Sequence, residues 1–139
     1  MRILLLSVLL LISGTVSAQK YWNSTVKFDG KTHISFWDPY LNSKTDYLTI
    51  EFWVKTARDT QSCTILGDQQ IWVLTQQGKI RVQANGGTQM FSNYVLEKNK
   101  WTHVAVTFDG GPAKAAKIYI DGVLDNTSTF SDGTLYGAT

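Results

Sequence analysis

The side chains of this chain best suited to proton transfer, nucleophilic attack or metal ligation are few. There are two histidines, His33 and His103, two glutamates, Glu51 and Glu97, and a single cysteine, Cys63. His103 lies in "WTHVAVTFDG". A catalytic histidine needs a nucleophile or carboxylate beside it and a cleft around it. A packing histidine needs only a partner for one ring N–H. His103 shares a strand face with Trp101, and no nucleophile motif surrounds it, so a structural role is expected. His33 has no recognisable partner and is read in the same way. No G-x-S-x-G, phosphate-binding or dinucleotide fingerprint occurs. Glycoside hydrolysis needs two carboxyl groups flanking one bond. Glu51 is followed by "FWVKT" with no aspartate two residues on, so an acid pair could only be assembled from distant residues such as Asp68 and Asp121. Cys63 has no second cysteine to bridge, and no Cys/His spacing suits zinc. In the β-like run "SCTIL" it reads as a small buried hydrophobe.

The elements that must position these residues are strands. In "YLTIEFWVKT", Leu48, Ile50, Phe52 and Val54 alternate with Thr49, Glu51, Trp53 and Lys55, the period-two pattern of a half-buried strand. "CTIL", "IWVLT" and "KIRVQA" follow, with Gln76-Gln77-Gly78 turning the chain between the last two. "TQMFSNYVL" comes next. In "WTHVAVTFDG", Val104, Val106 and Phe108 oppose Trp101, His103, Ala105 and Thr107. "KIYIDG" then ends in an Asp-Gly turn. "VKFDGKTHISF" reads as a hairpin about Asp29-Gly30. Ala113 to Lys117 could make one helical turn but is too short for an independent helix. Many short strands, Gly- and Asp-rich turns and no convincing helix predict an all-β antiparallel sandwich.

The first residues stand apart. Arg2 precedes the apolar run Ile3 to Ile12, too short to cross a bilayer, and Val16-Ser17-Ala18 offers the small residues a signal peptidase reads. Residues 1–18 are therefore expected to be a signal peptide cut between Ala18 and Gln19, leaving a secreted domain over 19–139. The whole chain carries a net charge of +2, and loss of Arg2 lowers it to +1. That balance excludes an electrostatic reason for binding nucleic acid or anionic membrane. No second long apolar stretch occurs, so no membrane insertion is expected after cleavage. Asn23-Ser24-Thr25 and Asn126-Thr127-Ser128 are sequons that would carry glycans at Asn23 and Asn126 in a eukaryotic source. Loop aromatics offer large apolar faces at low entropic cost. Trp37 and Tyr40, in "WDPY", are the candidate ligand contacts.

"VKFDGKTHISF", "LTIEFWVKT", "GKIRV" and "KWTHVAVTFDG…KIYIDGVLDN" occur in an order and spacing that resemble laminin G-like domains of the concanavalin A-like lectin/glucanase superfamily. The resemblance runs from about Val26 to Asn126. It implies a jelly roll of two antiparallel sheets. It also implies a recognition module for a glycan or an extracellular matrix or cell-surface protein, with calcium at the rim. Asp68, in "LGDQQIWV", stands at or one residue from the family's first acidic calcium position. The other reading of Asp68 is an ordinary turn aspartate. The Glu-x-Asp-x-(x)-Glu run of the superfamily's hydrolases is missing, so the resemblance implies a non-catalytic member. Such domains normally continue beyond "YIDGVLDNTSTFSDGTLYGAT" with further strands, so a fragment or truncated product is expected, the alternatives being strands supplied by a partner or an abbreviated sandwich. In that reading the chain would be a structural or adhesion piece of a larger extracellular protein.

Overall fold

The structure is a computed structural model that describes residues 25–31, 33–35, 47–57, 62–67, 71–84, 88–110 and 114–129. The chain divides into two compact units, Met1–His33 and Ile34–Thr139. All the described strands belong to the second. They are β1 (Tyr47–Val54), β2 (Cys63–Gly67), β3 (Ile71–Gln76), β4 (Lys79–Ala84), β5 (Thr88–Phe91), β6 (Thr102–Asp109), β7 (Ala115–Ile120) and β8 (Val123–Thr129). They form two antiparallel sheets, ordered β1-β6-β7-β8 and β2-β3-β4-β5. The architecture is the expected all-β sandwich.

Alternation decides which side of each strand is buried. In the first sheet Val104, Val106, Phe108, Ala116, Ile118 and Ile120 face inward. In the second, Ile71, Val73, Ile80, Val82, Ala84 and Met90 meet them in one core cluster. Each fully buried aliphatic side chain contributes about 1.5–3 kcal/mol of burial free energy. That drive overrides the local helix preference of Ala115-Ala116. The stretch that could have made one helical turn is strand from Ala115 onward, because Ala116, Ile118 and Ile120 must share one face.

Two tight hairpins fix the registers. Gln76 pairs with Lys79, leaving Gln77 (φ 52°) and Gly78 (φ 75°) as a two-residue turn. Ile120 pairs with Val123 around Asp121 (φ 49°) and Gly122 (φ 81°). Positive φ at both central residues matches the twist of the flanking strands.

Polar links join the strand ends. The Asn93 and Tyr94 backbone N–H groups donate to Asp125 Oδ2 and Oδ1 at 2.6 and 2.9 Å. Asn126 Nδ2 donates to the Phe91 carbonyl at 2.8 Å. These bonds tie β8 to the chain leaving β5. Buried Ser92 adds a second anchor: its Oγ accepts from Ile80 N–H at 3.0 Å and donates to Tyr94 O at 2.7 Å.

Two expectations fail. The turn about Asp29-Gly30 forms, with Lys31 N–H donating to Asp29 Oδ1 at 2.8 Å and Gly30 at φ 84°. The described residues on either side of it, however, carry no strand. Val26, Phe28 and Ile34 are all exposed. Among the described residues neither arm buries an apolar side chain, and a lone two-stranded hairpin is marginal in water. Cys63, expected to be buried, is exposed at the start of β2. Among the described strands β2 is an edge, where the sheet gives cover on one side only.

Candidate functional site

The acid–base candidates resolve first. His103 is on the outer face of β6, opposite Trp53 in the register. Their ring centroids are 5.2 Å apart at an interplanar angle of 53°. His103 Nε2 lies 3.8 Å from Glu51 Oε2, beyond hydrogen-bond range. The Glu51 side chain is 71% exposed, so little holds the pair in one geometry. Asp121 is occupied by the backbone. Its Oδ1 accepts from His103 N–H at 2.9 Å, and its own N–H donates to His103 O at 2.9 Å. It locks the β7–β8 turn onto the start of β6.

Glu97 accepts from Lys100 Nζ at 2.5 Å and from Tyr94 Oη at 3.0 Å. The Lys100 hydrogen bond first, then the Tyr94 one, hold its carboxyl below the ordinary glutamate range. That is the wrong direction for a general acid. Asp68 lies outside the described residues. Among the described residues no three His, Cys, Asp or Glu side chains converge to hold a metal ion.

The outer face of the second sheet offers a different chemistry. Trp72 pairs with Gly67 on β2 and with Gln83 on β4. A Cβ built on Gly67 would sit 2.9 Å from Trp72 Cε3 and 3.2 Å from Cδ2. The indole therefore rests on bare backbone, and Trp72 stays 41% exposed. Such a ring is a rigid apolar plate with one side supported.

Arg81, two residues from Gln83, works beside it. Arg81 Nη1 donates to Gln76 Oε1 at 2.9 Å and Nη2 to Gln83 Oε1 at 2.8 Å. Its guanidinium carbon is 6.0 Å from the Phe91 ring centroid. Arginine has donors only, so each amide must present its oxygen to Arg81. Both amide NH₂ groups are left as the ends able to donate elsewhere. The result is an aromatic plate with the Gln83 amide beside it and, beyond Arg81 toward the end of β3, a second oriented amide on Gln76.

The first sheet's outer face also carries aromatics. Trp53 is 64% exposed, and Lys55 Nζ lies 5.3 Å from the Trp101 ring centroid. Lys55 and Trp101 engage each other, and among the described residues no fixed amide flanks either ring.

Of the residues singled out in the sequence, Asn126 is described. It sits half-buried in β8, and its amide nitrogen is committed to Phe91 O. Trp37, Tyr40, Asp68, Asn23, Ala18 and Gln19 lie outside the described residues. The Trp72, Gln76, Arg81 and Gln83 cluster was not singled out in the sequence. Its only signal there is that these residues alternate with Ile71, Val73, Ile80 and Val82.

A laminin G family model, described as concanavalin A-like lectin/glucanases superfamily, matches residues 28–139. The chain belongs to this superfamily. No curated protein matches it. Among solved structures, this lectin-like chain is similar to a candidate carbohydrate binding protein from Bacteroides ovatus ATCC 8483. The TM-score is 0.59 at 20% identity, over 67% of this chain and 28% of that one. It is also similar to a botulinum neurotoxin type C structure concerned with cell entry through two ganglioside molecules. There the TM-score is 0.51 at 19% identity, over 70% of this chain and 26% of the toxin's. The superfamily member described here thus spans under a third of either neighbour's length. At these identities the likeness is one of fold.

Proposed function

We propose that this chain is a non-catalytic carbohydrate-binding module whose contact surface is the outer face of β3 and β4. The observation that carries the reading is the Trp72 plate beside the Gln83 amide that Arg81 orients. A pyranose ring has an apolar C–H face and a rim of hydroxyls. The first suits a supported indole, and the second suits outward N–H donors at fixed positions. The superfamily membership supports the reading, as do a candidate carbohydrate binding protein and a ganglioside-dependent toxin among its structural neighbours.

In the same proposal the module is exported by residues 1–18 and acts outside the cell on a glycan of a matrix or a cell surface. Nothing in the described sites pairs a nucleophile with a base. The contact at Trp72 involves no metal. Calcium at Asp68 is a separate proposal with its own test, given below. The glycan reading is tested by titrating the chain with glycans selected from an array and repeating the titration with Gln83→Leu. Loss of about tenfold in affinity, close to 1.4 kcal/mol, supports the assigned donor. Equal affinity removes Gln83 from the site.

A further inference from the structure

The outward residues of β3 and β4 stand in rungs. Trp72 is opposite Gln83, Leu74 opposite Arg81, and Gln76 opposite Lys79. Residues opposite each other in an antiparallel pair share a face. The first rung is the aromatic contact described above. The last lies four residues further along each strand, about 13 Å away at the usual strand rise. Between them Leu74 is buried and offers little surface of its own. The Arg81 guanidinium reaches from this middle rung to both ends, to Gln76 and to Gln83. Contacts on this face therefore gather at its two ends.

The polar groups of the rungs all donate. The Gln76 and Gln83 amides give their oxygens to Arg81, which leaves their NH₂ ends to face a ligand. Arginine and lysine have donors only. Two cations, Arg81 and Lys79, thus share the face, and the outward rows of β3 and β4 hold no acidic side chain. Among the described residues neither cation has a carboxylate within ion-pair distance. Arg81 meets neutral amide oxygens, and its Nε is buried without a hydrogen-bond partner. Its charge is left uncompensated. On β5, Gln89 and Phe91 stand opposite Gln83 and Arg81 and are neutral as well.

A face that only donates and carries positive charge selects a ligand that accepts and carries negative charge. A sugar hydroxyl both donates and accepts, whereas a carboxylate or sulfate only accepts. The two ends of the face also differ. The Trp72 end suits the apolar side of a ring, and the Lys79 end suits an anion.

We infer that the module takes an extended acidic glycan, with a neutral ring on Trp72 beside Gln83 and a carboxylate- or sulfate-bearing unit at Gln76 and Lys79. The inference rests on the carbohydrate-binding reading above and adds to it the charge and the length of the ligand. A single ring on Trp72 does not reach Lys79, so the ligand is an oligosaccharide.

The test uses the full chain, purified after expression with its own leader, on an array of neutral, carboxylated and sulfated sugars graded from monosaccharides to oligosaccharides. The tightest binder is then titrated beside its uncharged counterpart, the methyl ester of a carboxylate or the desulfated form. Wild type, Lys79→Gln and Trp72→Ala are compared at low and high salt. The expected best binder is an acidic oligosaccharide, and the carboxylated and sulfated arms tell which anion it carries. Lys79→Gln should weaken that binder about tenfold at low salt and less at high salt, and should leave the uncharged counterpart unchanged. Trp72→Ala should weaken both forms alike. A neutral best binder overturns the inference. So does a monosaccharide bound as tightly as the oligomer, or an acidic binder indifferent to Lys79→Gln. In each of these cases binding that still fails in Trp72→Ala leaves the carbohydrate reading standing, whereas no binding to any sugar removes both.

Discussion

Replacing Gly67 by alanine separates the platform from the fold. Gly67 needs no unusual backbone angle, since its φ is not among the positive ones. What it supplies is room, because an added Cβ falls 2.9 Å from Trp72 Cε3 and 3.2 Å from Cδ2. Carbon atoms pack at about 3.5–4.0 Å, so the indole must lift by about 0.5–1 Å. Trp72 is partly exposed and can move outward, which keeps the steric cost small. Alanine also recovers about 0.5–1 kcal/mol of the entropy that glycine forfeits in a strand. The two effects offset each other, and stability should change by less than about 1 kcal/mol. Binding has no such offset, because lifting the ring alters its height against the Gln83 donor. Misplacing an aromatic contact costs about 0.5–1.5 kcal/mol, up to about tenfold in affinity. Thermal melts and calorimetric titration with a glycan chosen from an array measure the two quantities on the same samples. Wild-type glycan affinity in Gly67→Ala would refute the platform argument.

Three further outcomes are expected. Ser92→Ala should lower stability by about 2–3 kcal/mol in denaturant melts, because it strands the buried Ile80 N–H and the Tyr94 carbonyl. A loss below about 0.5 kcal/mol would mean that the anchor is replaced by water. In a carboxyl-detected titration Glu97 should ionise below the ordinary glutamate range, and Lys100→Met should move its midpoint upward. Because its folded value is depressed, the pair's contribution is present above the unfolded value and fades as pH falls through the folded one. At the alkaline end Lys100, raised chiefly by the Glu97 hydrogen bond, holds its charge until pH passes its own raised value. An unchanged Glu97 midpoint in the variant would rule out Lys100 as the cause. Calcium at about a hundredfold its dissociation constant should stabilise the chain by about 2.7 kcal/mol, with Asp68→Ala abolishing the rise. A melt indifferent to calcium and chelator would dismiss the metal.

Strand β1 was legible because Leu48, Ile50, Phe52 and Val54 alternate cleanly with polar partners, and burial selects one face. The turns at Gln77-Gly78 and Asp121-Gly122 were legible because few residues tolerate positive φ. The hairpin at Asp29-Gly30 misled for the same reason: turn chemistry is local, whereas a ladder needs burial that Val26 and Ile34 do not have. At Ala115-Ala116 the turn that the sequence allowed does not form, since alanine's helix preference is weak beside the inward pull of Ile118 and Ile120. Cys63 was misjudged because a short apolar run does not reveal that its strand is an edge. The candidate site was the least visible part. Sequence reasoning sought aromatics in loops, at Trp37 and Tyr40, whereas the described platform is built on strands. Gln76, Arg81 and Gln83 look like ordinary outward-facing residues until cross-strand register sets Gln83 beside Trp72 and Arg81 orients its amide together with that of Gln76.

The most direct test of the carbohydrate-binding proposal is a glycan-array titration of the wild-type chain against Trp72→Ala and Trp53→Ala, each first shown to melt cooperatively. The account predicts saturable binding by wild type, a loss of at least about tenfold in Trp72→Ala and little change in Trp53→Ala. Binding that survives the loss of Trp72 but fails without Trp53 would move the site to the other sheet. No saturable binding to any glycan would contradict the assignment.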